Sequence, residues 1–226
     1  MYYIQKNLNK LNYGQPTFFL NPAELRQVAS HIKKKEYHIF YPYPDSEKNI
    51  IYQGKVPEVL LYEIIVKENV RHQDILGSLY SLNIDDGLFG DIVINDGRYF
   101  IFILPIVRNY FESNFLMIKN SRINLKELDS DYLKDFQRKF LELELIVSSV
   151  RIDTVVSSIC HIGRNKVSDM MKKKEIMLNY DFLKDLSYSL KDNDTFSIKR
   201  IGKFKYGGVL KKTKSNHAVI MIYQYL

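Results

Sequence analysis

Apolar and polar residues alternate along this chain with two periods, about 3.6 and about 2 residues, which predict helices and strands. Helical spacing follows the sequence Asn-Pro-Ala-Glu at residues 21–24. This sequence is typical of a helix start, because Asn caps a helix and Pro suits its first turn. The spacing predicts a helix from there to about Lys35. A short strand is predicted at residues 38–41, before the Pro-rich segment 41–45 interrupts regular structure.

The next part of the chain shows the order strand, helix, strand, strand, helix, strand. The Asp-Gly pair at residues 96–97 predicts a tight hairpin turn between the second and third strands, because both residues tolerate positive φ angles. This order is the split βαβ plan of ferredoxin-like and RNA-recognition folds. The polar segment 125–139 then predicts a helix-prone connector. The predicted strands cover residues 59–66, 90–94, 99–104 and 115–119, and the predicted helices cover residues 72–82 and 105–114.

The remainder of the chain predicts two short helices and a small sheet. Residues 140–147 alternate apolar and acidic side chains, as an exposed strand does. The segment 202–212 is dense in glycine, lysine and aromatic residues and predicts a loop. The helices are predicted at residues 151–159 and 165–173, and the strands at residues 176–178, 195–200 and 218–225.

Together these elements predict an α+β protein with three domains. A small N-terminal α/β unit covers residues 1–56, a ferredoxin-like βαββαβ domain covers residues 57–145, and a third domain covers residues 148–226. Aromatic residues on the third strand of a βαββαβ domain can stack on RNA bases. Here alternation places Phe100 and Phe102 on one face, so we expect them to pack in a core instead.

The positive charge of the chain is confined to its last third. Residues 151–226 contain 15 Lys and Arg against 7 Asp and Glu, whereas residues 1–150 contain 18 against 19. The net charge of +7 therefore belongs to one segment. A confined excess of this kind favours a polyanionic partner such as RNA, DNA or an anionic membrane.

Composition excludes several classes of protein. The single cysteine, Cys160, cannot form an internal disulfide, which fits a reducing cytoplasm. We find no signal peptide and no apolar run near the roughly 18 residues of a membrane span. Metal-ligand spacing, a phosphate loop and a nucleophile motif are also missing, and His72 and Asp74 point apart on their predicted helix. We therefore expect a cytoplasmic monomer without membrane partner, cofactor, metal or catalytic residues.

Three segments of the last third carry a known pattern. Arg-Ile-Asp at residues 151–153, Gly-Arg-Asn-Lys-Val at residues 163–167 and the lysine-rich segment 170–179 resemble the S4 RNA-binding domain. That family begins with Arg-Leu-Asp, continues with a second helix that starts at Ser-Arg-Ser, and ends with a Val-x-Val-Asn strand. The resemblance implies an αL-type S4 domain at residues 148–226, in which a helix pair presents cations to structured RNA.

Further motifs narrow the resemblance to YlmH-type S4 proteins. Residues 71–79 read RHQDILGSL and residues 89–92 read FGDI, which is similar to the "(K/R)HRDLLGSL … FGDI" signature of that family. YPDSEK at residues 43–48, SSVRID at 148–153 and KKTK at 211–214 resemble its "YPEAER", "SSLRLD" and "GKTKK" segments. The order of these motifs holds over about residues 15–225.

The resemblance implies a function on the ribosome. Members bind the large (50S) ribosomal subunit, contact its rRNA and tRNA, and support C-terminal alanine tailing of obstructed chains beside an RqcH-type factor. The resemblance therefore implies a non-catalytic RNA-binding protein of ribosome-associated quality control. An older name of the family is cell-division factor. Two alternatives stay open, namely an RNA-modifying enzyme with an appended S4 domain and a cell-division scaffold.

The candidate RNA-binding residues are cations of the last third and one amide. Arg164 and Lys166 flank the start of a predicted helix, where backbone amides also attract phosphate. The lysine-rich segment 203–214 is either a phosphate clamp, with Phe204 and Tyr206 stacking on bases, or a solvated loop. The full set of candidates is Arg151, Arg164, Asn165, Lys166, Lys172, Lys173, Lys203, Lys205, Lys211 and Lys212.

Overall fold

The structure is a computed structural model that describes residues 2–32 and 36–225. It divides into two compact units, Met1–Gln137 and Arg138–Leu226. The predicted helix to Lys35 ends at Ser30 in the structure, and its last predicted residues, 33–35, lie outside the described residues. None of the described helices is both long and apolar enough to cross a bilayer.

The first unit contains four α-helices and seven strands within the described residues. Short 3-10 turns precede β4 and α4 and follow β7. The helices are α1 (Tyr2–Asn12), α2 (Pro22–Ser30), α3 (His72–Ser81) and α4 (Arg108–Asn114). The strands are β1 (His38–Phe40), β2 (Ile50–Tyr52), β3 (Leu60–Val66), β4 (Phe89–Asn95), β5 (Arg98–Ile103), β6 (Met117–Ile118) and β7 (Ser121–Leu128).

Helix α1 was missed because its sequence alternates polar and apolar residues. Ile4, Leu8 and Leu11 nevertheless recur at helical spacing and pack against Val28 of α2. Asn7 is fully buried between them, where its amide donates to the Tyr3 carbonyl at 2.9 Å and accepts from the Phe18 amide at 2.8 Å. Because both polar groups of this buried side-chain amide have hydrogen-bond partners, the amide joins α1 to the segment at Phe18 and does not destabilise the fold.

The predicted start of α2 is confirmed. The side-chain oxygen of Asn21 accepts from the amides of Ala23 and Glu24 at 2.9 and 3.0 Å, and Glu24 accepts in return from the Asn21 amide at 3.0 Å. This reciprocal pair satisfies backbone donors that a helix start leaves without partners.

Five strands form the antiparallel sheet of the first unit in the order β4-β5-β3-β7-β6. The first four strands of this order have the ferredoxin-like arrangement, with α3 and α4 as the two connecting helices. The turn between β4 and β5 has the predicted conformation, because Asp96 and Gly97 both have positive φ angles of 49° and 76°.

The predicted connector at residues 125–139 is partly wrong. On the side away from β5, strand β3 pairs with β7, which includes residues 125–128. The predicted strand 115–119 contributes only the two residues of β6. The alternation in β7 places Ile123 inside and the charged Arg122 and Lys126 outside. A half-exposed strand with charged outer positions resembles a polar helix in composition, which is why the prediction failed.

The two faces of this sheet are buried by different elements. Tyr99, Ile101 and Ile103 of β5 pack against the helices α3 and α4. Phe100 and Phe102 point to the other face, where they pack against Phe19 and Tyr43. Phe102 is 0% exposed and its ring stacks on that of Tyr43 at 5.8 Å. Core packing of Phe100 and Phe102 is therefore confirmed.

A single carboxylate fixes the covering segment to the sheet. Asp91 of β4 accepts from the Tyr43 hydroxyl at 2.6 Å and from the amides of Glu47 and Lys48 at 2.7 and 3.2 Å. The Lys48 ammonium in turn lies 4.1 Å from the centroid of the Phe89 ring. The YPDSEK and FGDI segments are therefore in contact.

The second unit has two helices and a six-stranded sheet in the order β10-β9-β11-β12-β13-β8. The predicted strand at 140–147 is confirmed, and its partner is the last strand of the chain. The predicted domain 57–145 included most of this strand, whereas the compact units divide after residue 137 and place the strand in the second unit. The predicted domain boundary at residue 56 stays a prediction. The elements are β8 (Phe140–Val147), α5 (Ile152–Cys160), α6 (Arg164–Lys172), β9 (Ile176–Leu178), β10 (Asp181–Phe182), β11 (Thr195–Ile198), β12 (Gly202–Lys212) and β13 (Ala218–Tyr225).

The loop predicted at residues 202–212 is wrong. This segment is the eleven-residue strand β12, which pairs with β11 and β13 and shifts register at two places. Phe204 and Tyr206 are only 1% and 3% exposed and belong to the core under α5 and α6, so they cannot stack on bases. The glycines misled the prediction, since Gly207 and Gly208 lie at a bulge within a strand.

Replacing Phe102 tests the covered sheet face. We expect Phe102→Ala to lower the free energy of unfolding by about 3–5 kcal/mol, because it leaves a cavity beneath Tyr43. Ile106 is 81% exposed, so Ile106→Ala should change it by less than about 0.5 kcal/mol. Urea denaturation followed by circular dichroism measures both. Equal losses in the two variants would contradict the buried position of Phe102.

Candidate nucleic-acid interface

The start of α5 is built around a buried carboxylate. Asp153 accepts from the Arg151 guanidinium at 3.1 and 2.8 Å and from the Thr154 amide at 2.8 Å. Burial raises the pKa of Asp153, but these hydrogen bonds and the charges of Arg151 and Arg164 outweigh burial, so its pKa lies below the usual range. Arg151 is consequently held in one orientation, with 45% of its side chain exposed.

Helix α5 is fixed to the rest of the second unit through its backbone and its apolar face. The Ile152 amide donates to the Tyr188 carbonyl at 2.9 Å, and Val155 and Val156 are fully buried. His161 ends the helix with a positive φ angle of 52° and reverses the chain towards α6. This tight connection places the two helices side by side.

Helix α6 begins with exposed polar residues. Arg164, Asn165 and Lys166 are all exposed, and Val167 is the buried residue that attaches the first turn to the core. Gly163 occupies the cap position and offers no side-chain acceptor to the first-turn amides. These amides, with the helix dipole and the two cations, produce a positive potential that attracts phosphate.

The start of α6 lies near one end of the sheet. The Arg164 guanidinium donates to the Ser148 hydroxyl at 3.2 Å, immediately after β8. Val147, the last residue of β8, pairs with Ala218 of β13, and Ala218 pairs with Lys212 of β12. Because neighbouring strands lie about 4.8 Å apart, the backbone of Lys212 is roughly 10 Å from that of Val147.

This register brings together six of the ten predicted residues. We call them the helix-start surface, because the starts of α5 and α6 and the adjoining hairpin form it. Lys211 and Lys212 are exposed at the hairpin end of β12, where Lys212 shares the helix-side face with Ala218 and Val147 and Lys211 points to the other face. The surface consists of Arg151, Arg164, Asn165, Lys166, Lys211 and Lys212.

The other four predicted residues lie elsewhere. Lys172 and Lys173 are exposed at the far end of α6, roughly 12 Å along the helix from Arg164. Lys203 and Lys205 lie near the start of β12, roughly 23–30 Å from Lys212 along the strand. Proximity in sequence therefore misled the prediction that residues 203–214 act as one clamp.

Lys203 is held between aromatic rings. Its ammonium donates to the Tyr180 hydroxyl at 2.9 Å and lies 4.5 and 4.8 Å from the ring centroids of Tyr180 and Tyr225. A cation that is half-buried in this way contributes to packing as well as to surface charge. The sequence did not predict these contacts, because they join residues more than twenty positions apart.

Asp74 in the first unit has a structural role. It accepts from the Arg71 amide at 3.0 Å and forms ion pairs with Arg71 and Lys119 at 3.1 and 2.8 Å. Hydrogen bonds from Arg71 and Lys119 hold the pKa of this carboxyl far below its usual range. Asp74 therefore caps the start of α3 through the Arg71 amide. No cluster of three or more His, Cys, Asp or Glu side chains suited to a metal ion exists among the described residues.

Comparison with known proteins agrees with the motifs. Residues 58–132 match the family model described as "Putative RNA-binding domain in YlmH". The chain is also 24% identical over 151 residues to ribosome-associated protein quality control protein P2 of Bacillus subtilis (strain 168). Over residues 58–132 the chain is similar to proteins of the YlmH family. The match covers 66% of this chain and 58% of the length of that relative.

A solved structure in the same comparison is the cell division protein ylmH from Streptococcus pneumoniae. It is 21% identical, with a TM-score of 0.44, and the match covers 57% of this chain and 86% of that one. The matched YlmH domain at residues 58–132 contains the five-stranded sheet with α3 and α4. Phe100 and Phe102 are covered in this segment, so bases cannot stack on them as they do in RNA-recognition domains.

Replacing Asp153 tests the start of α5. A carboxyl whose folded pKa is depressed stabilises the fold above its unfolded pKa of about 3.9, and the stabilisation is lost as pH falls through the folded pKa. Asp153→Asn should lower the free energy of unfolding at pH 7 by about 1–3 kcal/mol. It should also remove part of the loss of stability that begins as pH falls to about 4, the unfolded pKa of the carboxyl.

The control for this experiment is Asp181→Asn, because Asp181 is exposed in the same unit. Urea denaturation at several pH values measures both variants. If Asp153→Asn matched the wild type across the pH series, the ion pair with Arg151 would not stabilise α5.

Proposed function

We propose that this chain is a non-catalytic RNA-binding protein that associates with the large ribosomal subunit through its second unit. In this proposal it contacts rRNA and tRNA in the cytoplasm. It supports C-terminal alanine tailing on obstructed subunits, beside an RqcH-type factor. The name of the Bacillus subtilis relative supports the link with ribosome-associated quality control.

The observation that carries the proposal is the helix-start surface. The second unit contains 17 Lys and Arg against 9 Asp and Glu, so the charge surplus stays at eight when the boundary is placed at residue 138. Five of the 17 Lys and Arg residues lie on the helix-start surface. Nucleic-acid binding depends on cations of this kind, because they displace counterions from phosphates.

The mixed architecture of the surface favours structured RNA. The first turn of α6 offers backbone amides and two exposed cations, whereas Arg151 is fixed by Asp153. A fixed guanidinium can bind one phosphate with defined geometry, and mobile lysines can follow its neighbours. We infer that Arg151 positions the RNA and that Lys166, Lys211 and Lys212 add affinity.

The two alternatives predict different observations. An RNA-modifying enzyme would leave one rRNA or tRNA modification missing in a deletion strain, which mass mapping detects. A cell-division scaffold would localise to the septum even when RNA binding is lost. No contact among the described residues favours either alternative over RNA binding on the ribosome.

Charge reversal on α6 tests the proposed function. We expect Arg164→Glu with Lys166→Glu to reduce co-sedimentation with large subunits by about tenfold or more, because two phosphate contacts become repulsive. The log-log dependence of affinity on salt should become shallower by roughly 1.4–1.8. The fold should persist, since both side chains are exposed.

The matched control reverses the adjacent cations Lys199 and Arg200, which are exposed in a turn of the same unit. Lys199→Glu with Arg200→Glu changes the net charge equally but leaves the helix-start surface intact. We expect it to reduce association by less than about threefold. Equal reductions in both double variants would show that net charge alone determines binding, which would contradict the proposed site.

A further inference from the structure

The sheet of the second unit has a face that α5 and α6 do not cover. Phe204 and Tyr206 of β12 point into the core with the helices, so the alternating Lys205 and Gly207 lie on the opposite face. A groove of about 400 Å³ lies on this uncovered face. It is separate from the helix-start surface, because Lys205 lies at the other end of β12 from Lys212.

Two aromatic rings form the apolar wall of the groove. Tyr223 of β13 and Phe140 of β8 are half-buried, with ring centroids 5.9 Å apart and planes inclined by 63°. Gly207 makes room for the tyrosine, because a Cβ atom at this position would lie 2.5 Å from the Tyr223 ring. Because glycine at position 207 has no side chain, part of the Tyr223 ring stays exposed beside the bulge at residues 206–208.

The opposite wall is polar and rigid. Lys205 pairs directly with Tyr223 across the strands, so the two side chains lie on the same face. Asp192 and Asn193 approach from a turn that hydrogen bonds hold against β12. The Asn193 amide donates to the Tyr206 carbonyl at 2.9 Å. Neither Lys205 nor Asp192 forms an ion pair within residues 2–32 and 36–225.

We propose that this groove binds one unstacked nucleotide of an RNA. The inference rests on the proposed RNA-binding function and extends it to a second contact. The base stacks on Tyr223 beside Phe140, Lys205 binds the adjoining phosphate, and Asp192 with Asn193 contacts the edge of the base. Recognition of single-stranded RNA commonly combines these elements, namely a ring, a cation and polar groups that reach the base edge.

The polar groups also determine which bases fit. The Asp192 carboxylate accepts hydrogen bonds and donates none at neutral pH. It therefore accepts from the donors of a base edge and suits guanine best, because guanine presents N1–H and an amino group side by side. The volume of about 400 Å³ suits one nucleotide and is too small for a folded protein segment.

A tryptophan reporter tests the groove directly. The chain contains no Trp, so Tyr223→Trp in the full-length protein introduces a single indole at the stacking position. Adding a six-residue oligoadenylate should quench its fluorescence, and the same oligomer with a guanine at its centre should quench it at lower concentration. Adenosine monophosphate, added in a parallel titration, distinguishes a free nucleotide from a residue of RNA.

Variants of the reporter protein separate stacking from phosphate binding. Adding Lys205→Ala should weaken the affinity for oligoadenylate by about fivefold or more, whereas Lys199→Ala should leave it within about twofold. Without the reporter, Tyr223→Phe should retain oligomer binding and Tyr223→Ala should reduce it. Thermal melts establish that each variant is folded.

The outcomes distinguish this inference from the proposed function. An absence of quenching by any oligonucleotide, while subunit association still depends on Arg164 and Lys166, overturns the groove and leaves the proposed function intact. Quenching by the mononucleotide alone also overturns RNA binding at the groove. Quenching by oligoadenylate that depends on Lys205 supports the inference, even if charge reversal on α6 fails to change subunit association.

Discussion

The antiparallel pairing of β13 with β8 on one side and with β12 on the other determines where the cations of the second unit lie. Eight residue pairs join β13 to β8, which places the end of β8 beside the β12–β13 hairpin. The start of α6 reaches that end through Arg164 and Ser148. A slip of one residue in this register would turn every side chain to the opposite face, including that of Lys212, which now shares a face with Ala218 and Val147.

The first unit shows why a nucleic-acid role cannot be transferred from fold alone. Its sheet has the ferredoxin-like order, yet the face that carries Phe100 and Phe102 is closed by a segment that Asp91 holds in place. Aromatic residues that would stack on bases in an open sheet are core residues here. The segments around Tyr43 and Asp91 therefore contribute to the packing of this unit.

The sequence predicted those elements that have a local physical signal. The Asn21 cap, the Asp-Gly turn and the helices at residues 72 and 152 all rest on interactions within a few residues. Elements that depend on distant partners were missed. The β12 strand needs β11 and β13 to satisfy its backbone, and its glycines resemble a loop until the bulge is seen.

The residues of the candidate site show the same contrast between local signals, which the sequence carries, and contacts between distant residues, which it does not. The sequence predicted the cations at the starts of α5 and α6 through motif and helix chemistry. It could not show that Lys211 and Lys212 adjoin Arg164 whereas Lys203 and Lys205 lie on another part of the sheet, because only the strand register establishes these distances. Arg151 was predicted as an RNA contact, but its ion pair with buried Asp153 became visible only in the structure.

The central proposal is that the second unit binds this chain to the RNA of the large ribosomal subunit. Ultraviolet crosslinking in cells, followed by sequencing of the attached RNA and mass spectrometry of the attached peptides, measures this directly. The account predicts large-subunit rRNA and tRNA attached to peptides of residues 151–173 and 203–214. Recovery of messenger RNA alone, or of crosslinks confined to the first unit, would contradict it.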